Sequence, residues 1–265
     1  MKRRRSSRGS KAKEEEPIYG KQEPFRFVDL FCGIGAFRIA FERAGCQCMW
    51  SCDWDKHAQK TYEENFGERP NGDIHTIGVA DIPAHDILCS GFPCQPFSIA
   101  GVSKKLSLGR KHGFQDESQG NLFFEIANII EYHKPAAFVL ENVKHLKRHD
   151  GGRTFEIIVG TLQDALGYTV YHKVIDAKPF VPQHRERIFL VGFREQRSFE
   201  FPRFPATQGP KLGSILEPTA EPRYTLTDHL WQYLRNYAAK HRAAGNGFGF
   251  GAFVATDLAP VCSKW

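Results

Sequence analysis

The chain has 265 residues, of which 41% are hydrophobic, and its 36 Lys and Arg residues outnumber its 30 Asp and Glu residues to give a net charge of +6. This composition indicates a globular protein with an ample core, and neither an apolar run of about 18 residues nor an apolar N-terminal segment indicates a membrane span or signal peptide. We therefore expect a cytoplasmic protein. Its positive charge suits a polyanionic partner but alone is weak evidence for one.

Residues 1–24 are charged and almost free of large apolar side chains, so we expect a disordered arm there. Apolar patterns then predict these elements in chain order: strand FRFVDLF, helix AFRIAFERAG, strands CQCMWSCD and HDILCS, helix GNLFFEIANIIEYHKP, strand AAFVLENV, helix RTFEIIVGTLQDALG, and strands YTVYHKVI and RIFLVGF. A proline-rich stretch, a short helix in LTDHLWQYLRNYAAKHRAA and a glycine-rich segment follow.

Strands that alternate with helices predict βαβ units, and therefore an α/β fold with a doubly wound, mostly parallel sheet. In such sheets ligands bind beyond the carboxyl ends of the strands. Candidate functional residues are accordingly sought just after each predicted strand.

The first strand leads into DLFCGIGAF, where Gly33 and Gly35 let the backbone approach a ligand at the start of a helix. Residue 38 is Arg instead of the third glycine of a dinucleotide fingerprint, so a pyrophosphate is a poor fit. Asp53 follows the second strand at the spacing of a ribose-binding acid, and Trp54 beside it could stack on a purine. Ribose and purine without pyrophosphate favour S-adenosylmethionine over NAD. The alternative interpretation is a helix N-cap at Asp53 and a core position for Trp54.

Cys94 follows the strand HDILCS in a loop stiffened by Pro93 and Pro96, where a thiolate could face a substrate. Glu141 closes the next strand at the same edge, an environment that can favour a proton-donating carboxyl. The segment PQHRERIF adds two fixed cations, Arg185 and Arg187, before another strand.

The chain has seven cysteines, an odd number without paired CxxC motifs, so reduced thiols are the simplest interpretation. Cys46, Cys48 and Cys52 lie close together in the sequence, but no His or Cys pair at zinc-finger spacing accompanies them. We therefore expect no metal site.

The motifs DLFCGIGAF, CDWD, GDI, GFPCQPFS, GNLFFE, ENV and QHRERIFLVGF follow one another as in the DNA (cytosine-5) methyltransferases. The resemblance covers residues 25–194 and looks closest to the Dcm and EcoRII branch. It implies a Rossmann-like methyltransferase fold, double-stranded DNA as the substrate, S-adenosylmethionine as the cofactor and a place in the bacterial cytosol or nucleoid.

The resemblance also implies roles for single residues. Cys94 would attack carbon 6 of a flipped-out cytosine, and Glu141 would contact ring nitrogen 3 and the exocyclic amine. Arg187 would lie at the cytosine carbonyl oxygen, and Arg185 would lie near the same pocket. Residues 98–119 match the mobile loop that closes over the DNA. The positions that match cofactor contacts are Phe31, Gly33, Gly35, Asp53, Trp54, Asp73, Ile74, Gly91, Pro93 and Leu122.

Two departures from the family pattern concern the cofactor loop: Asp53 stands where many relatives have Glu, and Ala36 replaces a frequent Gly. A third concerns residues 195–265, which we expect to be a linker and only the start of a target-recognition region. We therefore expect that a second polypeptide supplies target recognition and the last cofactor motif. The alternatives are a truncated, inactive product, a protein that binds cofactor or DNA without turnover, and an RNA methyltransferase.

Overall fold

The computed structural model describes residues 23–93, 122–204, 209–218 and 225–245. Six strands form one sheet: β1 (Arg26–Leu30), β2 (Gln47–Cys52), β3 (Ile87–Ser90), β4 (Ala137–Val143), β5 (Thr169–Asp176) and β6 (Glu186–Phe193). Each of these strands was predicted from its run of apolar residues, with bounds that differ by one or two residues.

The sheet has the strand order β2-β1-β3-β4-β6-β5. Strand β1 pairs in parallel with β2 on one side and with β3 on the other, and β3 pairs in parallel with β4. The chain therefore leaves β1 in one direction and returns to its other side, which is the topological switch point of a doubly wound sheet. The predicted α/β fold with a mostly parallel sheet is confirmed.

The helices among the described residues are α1 (Ala36–Arg43), α2 (Lys56–Phe66), α3 (Leu122–His133), α4 (Arg153–Gly160) and α5 (Asp228–Ala243). Short 3₁₀ segments lie at Ile74–Thr76, Val79–Asp81 and Leu212–Ser214, and a π-helical turn, Thr161–Ala165, extends α4. A further 3₁₀ stretch, Lys144–Gly152, is interrupted by a kink at 149–151, where the backbone is not helical. Only α2 was not predicted. Its apolar stripe, Ala58, Tyr62 and Phe66, is only one residue wide and gives a weak helical pattern. The available signal was Asp55, which caps the N-terminus of α2 by accepting from the amides of His57 and Ala58.

The core surrounds β1, β3 and α3. In β1, Phe27, Val28 and Leu30 are fully buried, and Leu88 of β3 is fully buried beside them. Helix α3 contributes six buried side chains, Phe123, Phe124, Ile126, Ala127, Ile129 and Ile130. Burying each of the large ones contributes about 1.5–3 kcal/mol to the free energy of unfolding. The carboxyl ends of β1, β3 and β4 are thus held by well-packed strands.

The described chain divides into two compact units. Among the described residues, the first unit consists of 23–93, 122–142, 146–171 and 190–197, and the second of 143–145, 172–189, 198–204, 209–218 and 225–245. All predicted cofactor positions and Glu141 belong to the first unit. Arg185 and Arg187 belong to the second.

Candidate functional site

The loop between β1 and α1 adopts a backbone conformation that favours glycine. Gly33 and Gly35 have φ angles of +55° and +93°, and Phe31 has a φ of +53° that is uncommon for a residue with a side chain. The amide of Gly35 donates to the carbonyl of Cys32 at 2.8 Å, which closes the turn. The loop therefore brings backbone amides to the start of α1, as a ligand-binding loop requires.

The two glycines face different surroundings. A Cβ atom at Gly33 would meet no heavy atom within 4 Å, so the space in front of this residue is open. A Cβ atom at Gly35 would overlap the ring of Phe66 in α2. Gly35 thus allows close packing between the loop and α2, whereas Gly33 leaves room for a ligand.

Asp53 holds the loop to the end of β2. Its side chain is 8% exposed, its Oδ2 accepts from the Gly33 amide at 2.8 Å and its Oδ1 accepts from the Asp55 amide at 2.9 Å. Each carboxylate oxygen has a second lone pair, so the carboxylate can still accept from a ribose hydroxyl. The alternative that Asp53 caps a helix is wrong, since Asp55 is the N-cap of α2.

Trp54 lies next to Asp53 but is 76% exposed. The alternative that Trp54 is a core residue is therefore wrong. An exposed indole beside a buried carboxylate is compatible with stacking on a purine, because stacking removes apolar ring surface from water.

The segment after α2 is held beside the end of β2. Asn71 forms a parallel bridge with Cys52, and its side-chain Nδ2 donates to the carbonyl of Ser51 at 3.0 Å. Asp73 then caps a 3₁₀ turn by accepting from the His75 amide at 3.1 Å, and Ile74 is 4% exposed. Asn71 was not singled out from the sequence, where a lone Asn in a polar stretch gives little signal.

Glu141 lies close to the residue that follows β3. A Cβ atom built on Gly91 would stand 3.5 Å from Oε2 of Glu141, and the side chain of Asn142 donates to the Phe92 carbonyl at 2.9 Å. The chain that leads through Pro93 towards Cys94 is therefore anchored to the end of β4. Cys94 and the predicted mobile loop at 98–119 lie outside the described residues. Asn142 was missed, although its place beside Glu141 at a strand end was the available signal.

The thiols of the described cysteines are poor nucleophiles. Burial raises the pKa of every one of them above the ordinary value, and for Cys52 to about 12; the group consists of Cys32, Cys46, Cys48, Cys52 and Cys89. Because the thiolate is the reactive form, none of these five is suited to attack a substrate near neutral pH.

Asp29 is a buried acid in β1 that the sequence pattern did not single out. Its side chain is fully buried, and neither carboxylate oxygen has a hydrogen-bond partner within 3.5 Å among the described residues. Burial raises the pKa of Asp29 to about 8, and the neighbouring charge of Asp53 adds to the effect, while the Arg38 amide and guanidinium oppose it. Burial therefore favours the protonated form of Asp29.

The residues present fit S-adenosylmethionine. The open face of Gly33, the amides of a loop at a helix start, the anchored carboxylate of Asp53 and the exposed ring of Trp54 all lie in the first unit. Pro93 is exposed, whereas Gly91 and Leu122, the first residue of α3, are partly buried. Together they offer acceptors for hydroxyls and an aromatic face for a purine.

Two other classes of site are not found in the described ranges. Over these residues, no helix is long and apolar enough to cross a membrane. Within the same ranges, no group of three or more His, Cys, Asp or Glu side chains is arranged to hold a metal ion.

A family model, that of the C-5 cytosine-specific DNA methylases, matches residues 25–259. The chain belongs to this family. Its members are S-adenosylmethionine-dependent methyltransferases, so the cofactor class predicted from the loop and from the resemblance is confirmed.

Curated relatives of this methylase-family chain are about half identical to it. The DNA-cytosine methyltransferase of Escherichia coli is 48% identical over 273 residues, which cover 89% of the chain and 57% of that protein. The type II methyltransferase M.NlaX of Neisseria lactamica is 49% identical over 236 residues, which cover 87% of the chain and 72% of that protein. The chain thus spans little more than half the length of the first relative.

Solved structures share the fold. A methyltransferase of Entamoeba histolytica, EhMeth, superposes with a TM-score of 0.59 at 18% identity over 79% of this chain and 65% of that one. DNMT2 of Spodoptera frugiperda superposes with a TM-score of 0.61 at 18% identity over 80% of this chain and 65% of that one. At this identity the likeness concerns the architecture alone.

Proposed function

We propose that this chain carries the chemistry that transfers a methyl group from S-adenosylmethionine to carbon 5 of cytosine in double-stranded DNA. The observation that carries the proposal is the junction of β3 and β4, where Glu141 lies against Gly91 and Asn142 anchors Phe92. That junction fixes Gly91 and Phe92, which lie shortly before Cys94 in the chain, relative to a carboxyl group. Membership of the cytosine methylase family supports the choice of base.

We assign the cofactor to the carboxyl ends of β1 and β2. The Gly33 loop and Phe31 would enclose the methionine part, Asp53 would accept from the ribose, and Trp54 would stack on the adenine. When bound there, S-adenosylmethionine supplies an electrophilic methyl group. The remaining proposed contacts are Gly35, Asp73, Ile74, Gly91, Pro93 and Leu122.

We assign the base chemistry to Cys94 and Glu141. The Cys94 thiolate adds to carbon 6 of a flipped-out cytosine while Glu141 holds ring nitrogen 3 and the exocyclic amine. Carbon 5, made nucleophilic by this addition, would take the methyl group that bound S-adenosylmethionine would supply, and S-adenosylhomocysteine would be the by-product. A base removes the carbon 5 proton and the thiolate leaves, so 5-methylcytosine and free Cys94 result. Arg187 and Arg185 contribute positive charge for the cytosine carbonyl oxygen and the DNA.

Target recognition is assigned to residues outside the catalytic part. We propose that residues 25–194 hold the catalytic and cofactor-binding part and that residues 195–265 lead into target recognition, in the bacterial cytosol. Both the Escherichia coli relative and M.NlaX, which belong to the same family, are longer than the part that this chain matches.

Covalent trapping tests the chemistry. A duplex that contains 5-fluorocytosine in candidate sites cannot lose a proton from carbon 5, so the adduct with Cys94 persists through denaturation. We expect an adduct with the wild-type chain and S-adenosylmethionine, none with Cys94→Ser, and an unchanged yield with the control Cys46→Ser. An adduct that survives Cys94→Ser would assign the nucleophile to another residue.

The same assay tests whether target recognition lies outside the catalytic part, residues 25–194. The C-terminal region of a full-length relative, expressed separately, should raise the adduct yield when it is added to the chain. A high yield from the chain alone, with no increase on addition, would contradict this part of the proposal and indicate a self-sufficient methyltransferase.

A further inference from the structure

Side chains alternate in direction along His184, Arg185 and the first two residues of β6, Glu186 and Arg187. In an extended chain, successive side chains point to opposite sides, so His184 and Glu186 share one side while Arg185 and Arg187 share the other. The contact between His184 Nε2 and Glu186 Oε2, at 3.6 Å, agrees with this alternation. Two cations are thereby presented on the side away from the acidic residue.

Asp176, the last residue of β5, binds both ends of the β5–β6 connection. Its Oδ1 accepts from the amides of Lys178 and Arg185, each at 3.0 Å, and its Oδ2 lies 2.6 Å from Nδ1 of His184. The carbonyl of Arg185 accepts from the Ala177 amide at 3.1 Å. The backbone of Arg185 is therefore fixed at its amide and at its carbonyl.

The carboxylate of Asp176 is held in its charged form. Burial alone would raise the pKa of Asp176, but the Lys178 amide, the His184 ring and the Arg185 amide together lower it below the ordinary value. Charge-assisted hydrogen bonds of this kind are stronger than those between neutral groups. The connection is thus held at neutral pH by hydrogen bonds to a charged carboxylate.

The nearby acidic groups have partners other than Arg185. Glu186 Oε2 lies 2.7 Å from Nζ of Lys144, and Asp176 pairs with His184. Among the described residues, no carboxylate lies within ion-pair distance of the exposed guanidinium of Arg185. Its positive charge is consequently available to a polyanion such as DNA.

The geometry points to Asp176 as a positioning residue that fixes the backbone of Arg185 so that its guanidinium meets the DNA substrate in one orientation. This inference rests on the proposed function. Asp176 itself contacts no substrate and acts through Arg185 and His184.

Two roles for Asp176, a purely electrostatic one and a positioning one, predict opposite changes in DNA affinity when Asp176 is replaced. If Asp176 only adds negative charge near the DNA, its removal should strengthen binding, since repulsion of phosphate is relieved. If Asp176 positions Arg185, the removal of Asp176 should weaken binding. The guanidinium of Arg185 would then sample several orientations in the free chain, and fixing one of them on binding costs conformational entropy.

The test measures the affinity of the full chain for a duplex in which one cytosine lies opposite an abasic position, a probe that lowers the cost of base flipping. We expect Asp176→Ala to weaken binding at least about tenfold, the loss of a charge-assisted hydrogen bond. Asp176→Asn should lose less DNA affinity than Asp176→Ala, because the side-chain amide oxygen of Asn can still accept from the backbone amides of Lys178 and Arg185. The control Glu195→Gln removes one exposed negative charge and should not weaken binding.

A double-mutant cycle separates positioning from general damage. In an Arg185→Ala background, Asp176→Ala should cost little further affinity, because the group it positions is already absent. Cofactor affinity, measured by calorimetry, should be the same in all variants. A full additional loss in the Arg185→Ala background, a parallel loss of cofactor affinity, or tighter duplex binding by Asp176→Ala would each overturn the assignment.

The outcome for Asp176 is distinguishable from that for the proposed function. A wild-type chain that binds the duplex but yields no 5-fluorocytosine adduct would contradict methyl transfer, while the comparison of Asp176→Ala with Glu195→Gln would still decide the positioning role. A wild-type chain that binds no duplex would overturn the positioning role directly.

Discussion

Asp53 and Trp54 are adjacent in sequence but differ in environment. Asp53 is nearly buried and accepts from two loop amides, whereas Trp54 is 76% exposed. Their spacing from Gly33 could be recognised in the sequence, because it depends on the chain alone. Their different burial could not, because it depends on how α2 and the loop pack around them.

Trp54→Ala should lower the affinity for S-adenosylmethionine by about two- to tenfold, the contribution of one aromatic stacking contact. The free energy of unfolding should stay within about 0.5 kcal/mol of wild type, because an exposed ring adds little to the core. Calorimetric titration measures the affinity, and Tyr132→Ala, which removes another exposed ring in the first unit, is the matched control. Unchanged affinity in Trp54→Ala, or a larger loss of DNA affinity, would contradict the stacking role.

The elements themselves were predicted well where the apolar signal was strong. Strand β1 and helix α3 carry enough buried residues that local pattern decides them. Helix α2 was not predicted because its stripe is narrow and its packing onto the loop is a tertiary effect. The position of β6 between β4 and β5 could likewise not be predicted from the local sequence pattern, since nothing in a strand's own sequence specifies its neighbours.

The contact between α1 and α2 depends on Arg38 and on the glycine that precedes α1. The guanidinium of Arg38 lies 4.5 Å from the ring centroid of Phe66 and donates to the hydroxyl of Tyr62 at 3.0 Å. Gly35 lies against the same Phe66 ring. A change in the packing of α2 would therefore displace the loop that contains Gly33 and Gly35, the loop proposed to bind the cofactor.

Gly35→Ala should destabilise the protein more than Gly67→Ala. Both positions have positive φ, +93° and +74°, so both substitutions carry backbone strain of about 1–2 kcal/mol. Only at Gly35 does the added methyl meet a ring, which adds about 1–3 kcal/mol of overpacking. Urea unfolding of the two variants measures the difference, and equal losses would show that the Phe66 ring moves aside at little cost.

At the scale of the whole molecule, one buried acid couples stability to pH. Asp29 stands in the middle of the sheet, where β1 pairs with both β2 and β3. The sequence indicated the strand but not the state of this side chain, because a single Asp in an apolar run gives no sign of whether it has partners. Burial outweighs the opposing effect of the Arg38 amide and guanidinium on the pKa of Asp29 and favours the protonated form.

The free energy of unfolding should therefore fall as pH rises from about 4 to about 8. The pKa of Asp29 is raised from 3.8 to about 8 in the folded state, so within this window the folded chain binds a proton that the unfolded chain has lost. The stabilisation is fully present below the unfolded pKa and is lost as pH rises through the folded one.

Asp29→Asn should remove this dependence, since an amide does not titrate. Urea unfolding at a series of pH values should show the free energy of unfolding of wild type falling relative to Asp29→Asn by about 1.4 kcal/mol per pH unit. Asp86→Asn is the opposite control. Burial alone would raise the pKa of Asp86, but the Arg26 amide and guanidinium lower it below the ordinary value of 3.8. The contribution of Asp86 to the free energy of unfolding is therefore lost only as pH falls below that value. Parallel pH profiles for wild type and Asp29→Asn would show that Asp29 is ionised in the folded chain and reaches a partner or water.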